Sequence, residues 1–349
     1  MQKRTTNCIK ELRNLGLDAI VVSDPINVTY LTGFRNAQGY LLMTTSGEII
    51  YFTNFIYLAQ AKQKTDWQVI SKQGNIFQSI ANKITELKLK KIGFEGRHMP
   101  HLEYQEIVKH LSAKIIATVD LVKNLRAIKD NKEITLIRKS AQITTEAIEF
   151  IRQIHDQSMS EKTLAIEVEK FLRLKGDNQV AFPSIVAAGK SSAFPHHLPS
   201  EENQTGNFFI TDLGSKYYGY CADLTRVFFW GKMPALLKRV YETVLKAQQL
   251  AIKRVRAGVK ASQVDGAARE FIEKKGYGKF FGHGLGHGLG LDVHEPPYLS
   301  PYNEKPLKEG MVITIEPAIY LPSKFGIRIE DMVLVRKNKG EIISGNPNR

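Results

Sequence analysis

The chain has 349 residues, 43% of them hydrophobic and 24% charged, which are ordinary proportions for a water-soluble globular protein with room for two domains. Its net charge of +14 divides about equally between residues 1–130 and the remainder, and the densest basic stretch is only LKLKK at 87–91, so nucleic acid is not expected as a partner. No run of eighteen apolar residues predicts a membrane span, no apolar core follows the basic start as in a secretory signal, and two distant cysteines, Cys8 and Cys221, imply no disulfide framework; a reduced, cytoplasmic protein is expected.

MQKRTTNCIKELRNLG (1–16) reads as a helix packing on Ile9, Leu12 and either Leu15 or Leu17. DAIVVSD (18–24) predicts a strand, and GYLLMTTSGEIIYFT (39–53) predicts two strands turning at Ser46-Gly47. NFIYLAQAKQ (54–63) and NIFQSIANKITELKLK (75–90) have helical spacing, the second with Ile76, Ile80, Ile84 and Leu87 on one stripe. KKIGFEG (90–96) is another short strand, completing a small mixed α/β domain. DLVKNLRAIKDNKEI (120–134) reads as a polar boundary. Helices are expected over about 131–156, from an N-cap at Ser160 to Lys175, and over about 234–257 and 261–275, with strands and glycine turns after Val180. Helices segregated from strand pairs make this second part α+β.

Chemistry-bearing residues concentrate in that second part. NFFITDLGSKYYGYCADLTRVFF (207–229) reads as two strands around a turn near Gly214–Tyr218, with Asp212 and Asp223 one on each arm. Their odd spacing fits directly opposed residues, with Cβ atoms about 4.5–5.5 Å apart on one sheet face. Two bare carboxylates there repel, and a divalent cation between them resolves the conflict. The bland alternative is a pair of turn-loving aspartates, against which Asp212 follows an apolar run. In MVITIEPAIY (311–320), Glu316 ends an apolar strand, where a buried carboxylate is costly unless paired or metal-bound. In GIRIEDMVLV (326–335), Arg328 and Glu330 share one face; taken alone, a surface Arg–Glu ladder on an edge strand fits equally well.

FFGHGLGHGLGLDVHE (280–295) packs five glycines and three histidines into sixteen residues. No dinucleotide, phosphate-loop or helical zinc-protease spacing fits it, and its glycines make a poor helix. What remains is a glycine-rich strand or loop with His283 and His287 on one side, followed by His294. FPSIVAAGKSSAFPHHLPSE (182–201) adds His196 and His197 on a polar loop. The combined set is rich in oxygen donors, limited in imidazole and free of thiolate, which suits a pair of divalent ions such as Mn²⁺, Co²⁺ or Zn²⁺ that activate a water for hydrolysis.

FPSIVAAG, TDLGSKYYGYCADLTR, HGLGHGLGLDVHE and EPAIY with GIRIED follow one another in the order of the site motifs of a known family, and DAIVVSDPINVTYLTGF and NLRAIKDNKEITLIRKSAQIT precede them in place. On these motifs the chain resembles the pita-bread metallopeptidases, in the aminopeptidase P/prolidase branch that cleaves Xaa–Pro bonds. The resemblance implies an α/β N-terminal domain that is not catalytic, over residues 1–125, and an α+β pita-bread (creatinase/aminopeptidase) catalytic domain over 126–349. It implies that Asp212, Asp223, His287, Glu316 and Glu330 ligate two divalent ions, manganese first, with cobalt or zinc as alternatives, and that Asp223 and Glu330 bridge them. His196, His283 and His294 would face the substrate, Arg328 would orient the carboxylates, and Glu316 would also carry the proton to the departing proline nitrogen. Proline-containing peptides are the implied substrates and a homodimer the implied assembly. Metal-free relatives that hydrolyse creatine have lost ligands that this chain retains. A binding protein of the same fold and a methionine aminopeptidase are the rival readings.

Three positions depart from the family pattern. Ala318 stands where glycine usually follows the Glu-Pro pair, which tightens the local backbone. His197 replaces a glycine found in many relatives and narrows the expected pocket mouth. Tyr298 stands where some dipeptidases of the branch carry an arginine for the substrate carboxylate, which favours aminopeptidase over strict dipeptidase activity.

Overall fold

The short apolar runs of the first third pair into one sheet. A computed structural model describes residues 2–64, 67–71, 74–201 and 206–345. It divides into two units, Met1–Arg126 and Ala127–Arg349. The sheet of the first unit runs Gln68–Ser71, Ile49–Thr53, Tyr40–Thr44, Ala19–Val22, Lys91–Glu95, Lys114–Thr118. The turn at Ser46-Gly47 joins an antiparallel pair as expected, with Met43 opposite Ile49. Ala19–Val22 and Lys91–Glu95 pair in parallel. The helix Ile76–Glu86 buries Ile80 and Ile84 against this sheet's core, and Asn75 caps it by accepting from Phe77 N at 2.9 Å. The first helix, Gln2–Asn14, buries Cys8 and Leu12; beyond it the chain buries Leu17 and leaves Leu15 58% exposed, deciding between the two leucines. Sequence reading missed the helix Pro25–Thr32, although its punctuation is local. Asp24 caps it, Pro25 starts it, and Gly33 ends it at φ 72°.

In the second unit, the polar run at the expected boundary is a helix start. Asp130 accepts from Glu133 N and Glu133 returns a bond to Asp130 N, both at 2.9 Å, opening the helix Asn131–Ile154. Ser160 caps Glu161–Lys175 through Thr163 N at 3.1 Å. Leu164, Val168 and Leu172 are buried at a spacing of four, while Ile166 lies off that stripe and is 55% exposed. Ala235–Arg254 and Ala261–Lys274 pack on the apolar cluster that holds Ile313, Ile315, Ile327 and Val333.

The strands of this unit form small sheets rather than one large one. One runs Leu224–Phe229, Phe208–Leu213, Ile185–Ala188. Another runs Glu295–Leu299, Gly286–Gly288, Val312–Ile315, Asp331–Val335, Gly340–Ile342. The segment 326–335, expected as one strand, is two: Phe325–Arg328 pairs with Ala318–Leu321, and Asp331–Val335 joins the five-stranded sheet. Alternation stops at the adjacent acids Glu330 and Asp331, beyond which residues 332–335 are continuously apolar, and that change of pattern falls at the break.

Lys129 belongs to the segment read as a polar boundary, yet its side chain is 1% exposed. Its ammonium meets Glu295 Oε1 at 2.7 Å and donates to the Ala127 carbonyl at 3.2 Å. The partner carboxylate, at 0% exposure, immediately follows His294. Removing one member of such a pair strands the other charge in the core, at about 3–5 kcal/mol. Lys129→Met should therefore lower the urea midpoint by an amount worth that much, and the double variant with Glu295→Leu should recover part of it. Equal midpoints for wild type and Lys129→Met would refute the role given to this pair.

Candidate metal centre and active site

The proposed metal ligands sit on strands or beside strand ends, whereas His196 lies on the loop 194–200. Asp212 lies in Phe208–Leu213, opposite Thr225 on one neighbouring strand and Ile185 on the other. Direct opposition of Asp212 and Asp223 is therefore corrected. Residues between them include two further short strands, Lys216–Tyr217 and Tyr220–Cys221, which pair with each other and leave Asp223 just before the ladder. Asp223 is still two residues from Thr225, which preserves the parity that puts both aspartates toward one face. Glu316 follows Val312–Ile315, and its N–H donates to the Leu285 carbonyl at 2.9 Å. Arg328 ends one strand and Glu330 precedes the next, at 4% and 1% exposure, which rules out the surface Arg–Glu ladder.

Four of the five glycines of 280–295, all but Gly282, answer a requirement for close approach. His287 lies in the strand Gly286–Gly288. A Cβ on Gly286 would stand 2.1 Å from the Thr314 carbonyl oxygen, and one on Gly288 would stand 2.3 Å from that of Pro296. The neighbouring strands thus press against both sides of the histidine.

His196, Asp212, Asp223, His283, His287, His294, Glu316, Arg328 and Glu330 all line one cavity of about 800 Å³. Donor atoms of Asp223, His287 and Glu330 lie within 4.8 Å of one another, close enough to share a cation. Asp212 and Glu316 border that cluster with other partners at present: Arg328 Nη2 reaches Asp212 Oδ2 at 2.7 Å, and His287 Nε2 reaches Glu316 Oε1 at 3.3 Å. The His294 ring packs against that of His287 with centroids 4.3 Å apart and planes tilted by 59°.

The electrostatics describe an excess of buried negative charge. Burial, reinforced by Glu330, Asp212 and Glu316, raises the Asp223 pKa well above the carboxylate range. Burial with Glu316 and Asp212 does the same to Glu330. Burial also opposes ionisation of Glu316, but the hydrogen bond and charge of His287 bring it below its ordinary value. Burial disfavours a charged His287, yet Glu316 and Glu330 lift it to about 9. Asp212 Oδ1 and Glu330 Oε1 are buried with no hydrogen-bond donor. Two orphaned carboxylate oxygens beside mutually repelling acids are what divalent ions neutralise. His287 fits as well. Its Nδ1 faces the Gly288 carbonyl at 3.1 Å, so that nitrogen carries the proton and Nε2 is left for a metal. His283 has its Nδ1 2.7 Å from the Gly284 carbonyl, burial holds its pKa down, and its buried Nε2 has no partner.

Several supporting residues escaped sequence reading. Thr225 donates to Glu330 Oε2 at 2.8 Å, Thr314 donates to Glu316 Oε1 at 3.2 Å, and Tyr320 OH accepts from Arg328 at 2.5 Å. Arg226 donates to the Glu330 carbonyl and to Asp331 Oδ1, fixing the backbone on either side of that junction. The available signal was strand parity: Thr225 shares a face with Asp223, and Tyr320 shares one with Ala318, the residue paired with Arg328. His197 lines the cavity with its Nε2 2.7 Å from Glu161.

The model of metallopeptidase family M24 matches residues 135–337, and that of the creatinase/prolidase N-terminal domain matches residues 4–128. The chain belongs to metallopeptidase family M24. It is 33% identical to an Xaa-Pro dipeptidase of Pyrococcus horikoshii, over 97% of this chain and 95% of the relative. An Xaa-Pro dipeptidase structure from Bacillus anthracis superposes with a TM-score of 0.95 at 32% identity, covering 100% of this chain and 98% of that one. An X-Pro aminopeptidase structure from Thermotoga maritima superposes at 0.89 with 37% identity, covering 97% and 99%. The fold is thus the pita-bread catalytic fold behind a creatinase-type N-terminal domain, and this M24 chain is a hydrolase.

Cation binding at this centre should be coupled to proton release. A ligating His287 must be neutral, and Asp223 and Glu330 must be ionised, whereas without a cation all three are biased toward their protonated forms. Affinity should therefore rise with pH toward about 9, the value to which His287 is lifted. Calorimetric titration of chelator-treated protein with Mn²⁺ at pH 6 and pH 8, in buffers of different ionisation enthalpy, should show tighter binding and released protons. Affinity independent of pH over that interval would contradict the assignment.

Proposed function

We propose that this M24 enzyme hydrolyses the Xaa–Pro bond at the N-terminus of peptides, as an Xaa-Pro aminopeptidase, with Xaa-Pro dipeptides as the second substrate class. The observation carrying this reading is the convergence of four carboxylates, Arg328 and five histidines on one cavity. The named relatives support the proline specificity, since they include an aminopeptidase and dipeptidases at comparable identity. Tyr298, 47% exposed on the cavity wall, supports the aminopeptidase side because it supplies no cation for a free proline carboxylate. Residues 1–125 are read as a non-catalytic domain and 126–349 as the catalytic one, in a cytoplasmic homodimer. Among the described residues no helix is long and apolar enough to cross a membrane.

Asp212, Asp223, His287, Glu316 and Glu330 would hold two divalent ions, manganese first, with cobalt and zinc as alternatives. Ions bound there lower the pKa of water toward neutrality and so make a nucleophile available. Glu316 takes the proton of the attacking water and delivers it to the proline nitrogen as the bond breaks. His294, exposed at the cavity wall, donates to the scissile carbonyl oxygen as negative charge develops. His283 offers Nε2 as an acceptor, and donates there only after taking up a proton. His196 holds the peptide from the opposite loop. Arg328 keeps Asp212 in place through Nη2 while its Nε bonds Thr225, so the guanidinium orients ligands rather than substrate.

The enzyme stripped by chelator should lose Xaa–Pro cleavage and regain it with Mn²⁺ or Co²⁺. Ala-Pro-Ala should be cleaved faster than Ala-Pro, and a Met-Ala-Ser peptide should remain intact. Absence of proline-specific cleavage with about two ions bound per chain would sink the reading, and binding of no ions would favour a scaffold role.

A further inference from the structure

The loop 194–200 is held at two points that bracket His196. Arg328 Nη1 donates to the Pro195 carbonyl at 3.2 Å on one side. On the other side the holding group is Glu161, the first residue of the helix Glu161–Lys175. Its carboxylate is 3% exposed and collects four contacts. Oε1 accepts from Ala188 N at 2.8 Å, at the end of the strand that pairs with the one carrying Asp212. Oε2 accepts from Ser200 N at 3.1 Å and from Ser200 Oγ at 3.0 Å, and lies 2.7 Å from His197 Nε2. The carboxylate already accepts from three donors, so His197 Nε2 donates to it. Lys162 N donates to the Ser200 carbonyl at 3.0 Å and closes the far end of the loop.

The side chains between the anchors alternate. Pro195 and His197 are partly buried, whereas His196 and Leu198 are exposed, with Leu198 at 79%. All four line the cavity. His196 has no hydrogen bond of its own among the described residues that would set its ring, so its placement depends on the backbone at 195 and 197. We propose that His197 is a positioning residue: its bond to Glu161 fixes the backbone that presents His196 to the substrate. The catalytic part of this statement rests on the substrate role given to His196 above; the structural part does not. The ring-to-carboxylate bond thus ties the part of the loop beside His196 to Glu161 and, through it, to the strand next to Asp212, while Ser200 anchors the loop's far end to the same carboxylate.

The test uses the metal-loaded full chain in three forms: wild type, His197→Gly and His197→Gln. The glutamine amide can carry a donor to nearly the same place as Nε2, so it should restore what glycine removes. Hydrogen exchange of peptides spanning 194–201 should accelerate in His197→Gly and return to the wild-type rate in His197→Gln, with melting temperatures of all three alike. On an Xaa–Pro substrate, kcat/KM should fall about ten- to a hundredfold in the glycine variant, as for a group displaced by about 1 Å, and recover to within a few fold in the glutamine variant. Unchanged exchange in His197→Gly would overturn the proposal. So would a glutamine variant that restores loop protection but not turnover. If wild type itself cleaves no Xaa–Pro substrate, the proposed function fails instead, and the exchange comparison still decides whether His197 holds the loop.

Discussion

The second unit is organised around a cost: four carboxylates brought into a largely buried space. Asp223 and Glu330 are 5% and 1% exposed, and Asp212 and Glu316 stand beside them. Arg328 and His287 offset part of this charge, through Asp212 and Glu316 respectively. Asp223 and Glu330 keep the remainder, which is why their protonated forms are favoured when no cation is bound. An arrangement of this kind gives up stability in order to hold affinity for positive charge. It persists only where the surrounding backbone permits no relaxation.

That rigidity comes from small sheets meeting end to end. Arg226 bridges the strand after Asp223 to the Glu330–Asp331 junction, through the Glu330 carbonyl and Asp331. Ser344 adds a second bond to the same Asp331 carboxylate at 2.8 Å. Glycine at 286 and 288 lets flanking strands come within a distance that any side chain would forbid. Lys129 and Glu295 lock the segment that follows His294. Two of the proposed ligands, Glu330 and His287, are thus fixed by their neighbours along the chain, and one oxygen each of Asp212 and Glu330 is left without a donor.

What was legible in the sequence was local. The cap at Ser160 and the Ile76–Ile80–Ile84 stripe depend on residues a few positions apart, and each forms as read, whereas the cap at Asp130 lay inside a run read only as a polar boundary. The identities of the carboxylates and histidines were legible too, because buried acids at strand ends and clustered histidines are costly without a purpose. Register was not. The extra pair of short strands between Asp212 and Asp223 shifts the ladder by two residues, and spacing cannot distinguish that from a simple hairpin. The break between Arg328 and Glu330 is marked only by the adjacent acids Glu330 and Asp331, where alternation gives way to a continuous apolar run that still reads as the same strand. Lys129 looked like surface because its partner lies 166 positions away. Pairings at that distance are decided by the tertiary fold.

The same distinction separates the floor of the cavity from its rim. The floor residues sit on or beside strands whose backbone bonds would hold them even if one side chain changed. The rim loop at 194–200 has no ladder, so a few side-chain bonds must do the work that strands do below. Arg328 serves both levels: one guanidinium nitrogen fixes Asp212 in the floor while another holds Pro195 in the rim. A substitution there would disturb charge and loop together and could not separate them. Glu161 and His197 hold the rim with no bond to any proposed ligand, although Glu161 also accepts from Ala188 N, at the end of the strand beside the one carrying Asp212. A change at the mouth therefore removes no proposed ligand, which allows peptide preference to change while the buried carboxylates stay in place.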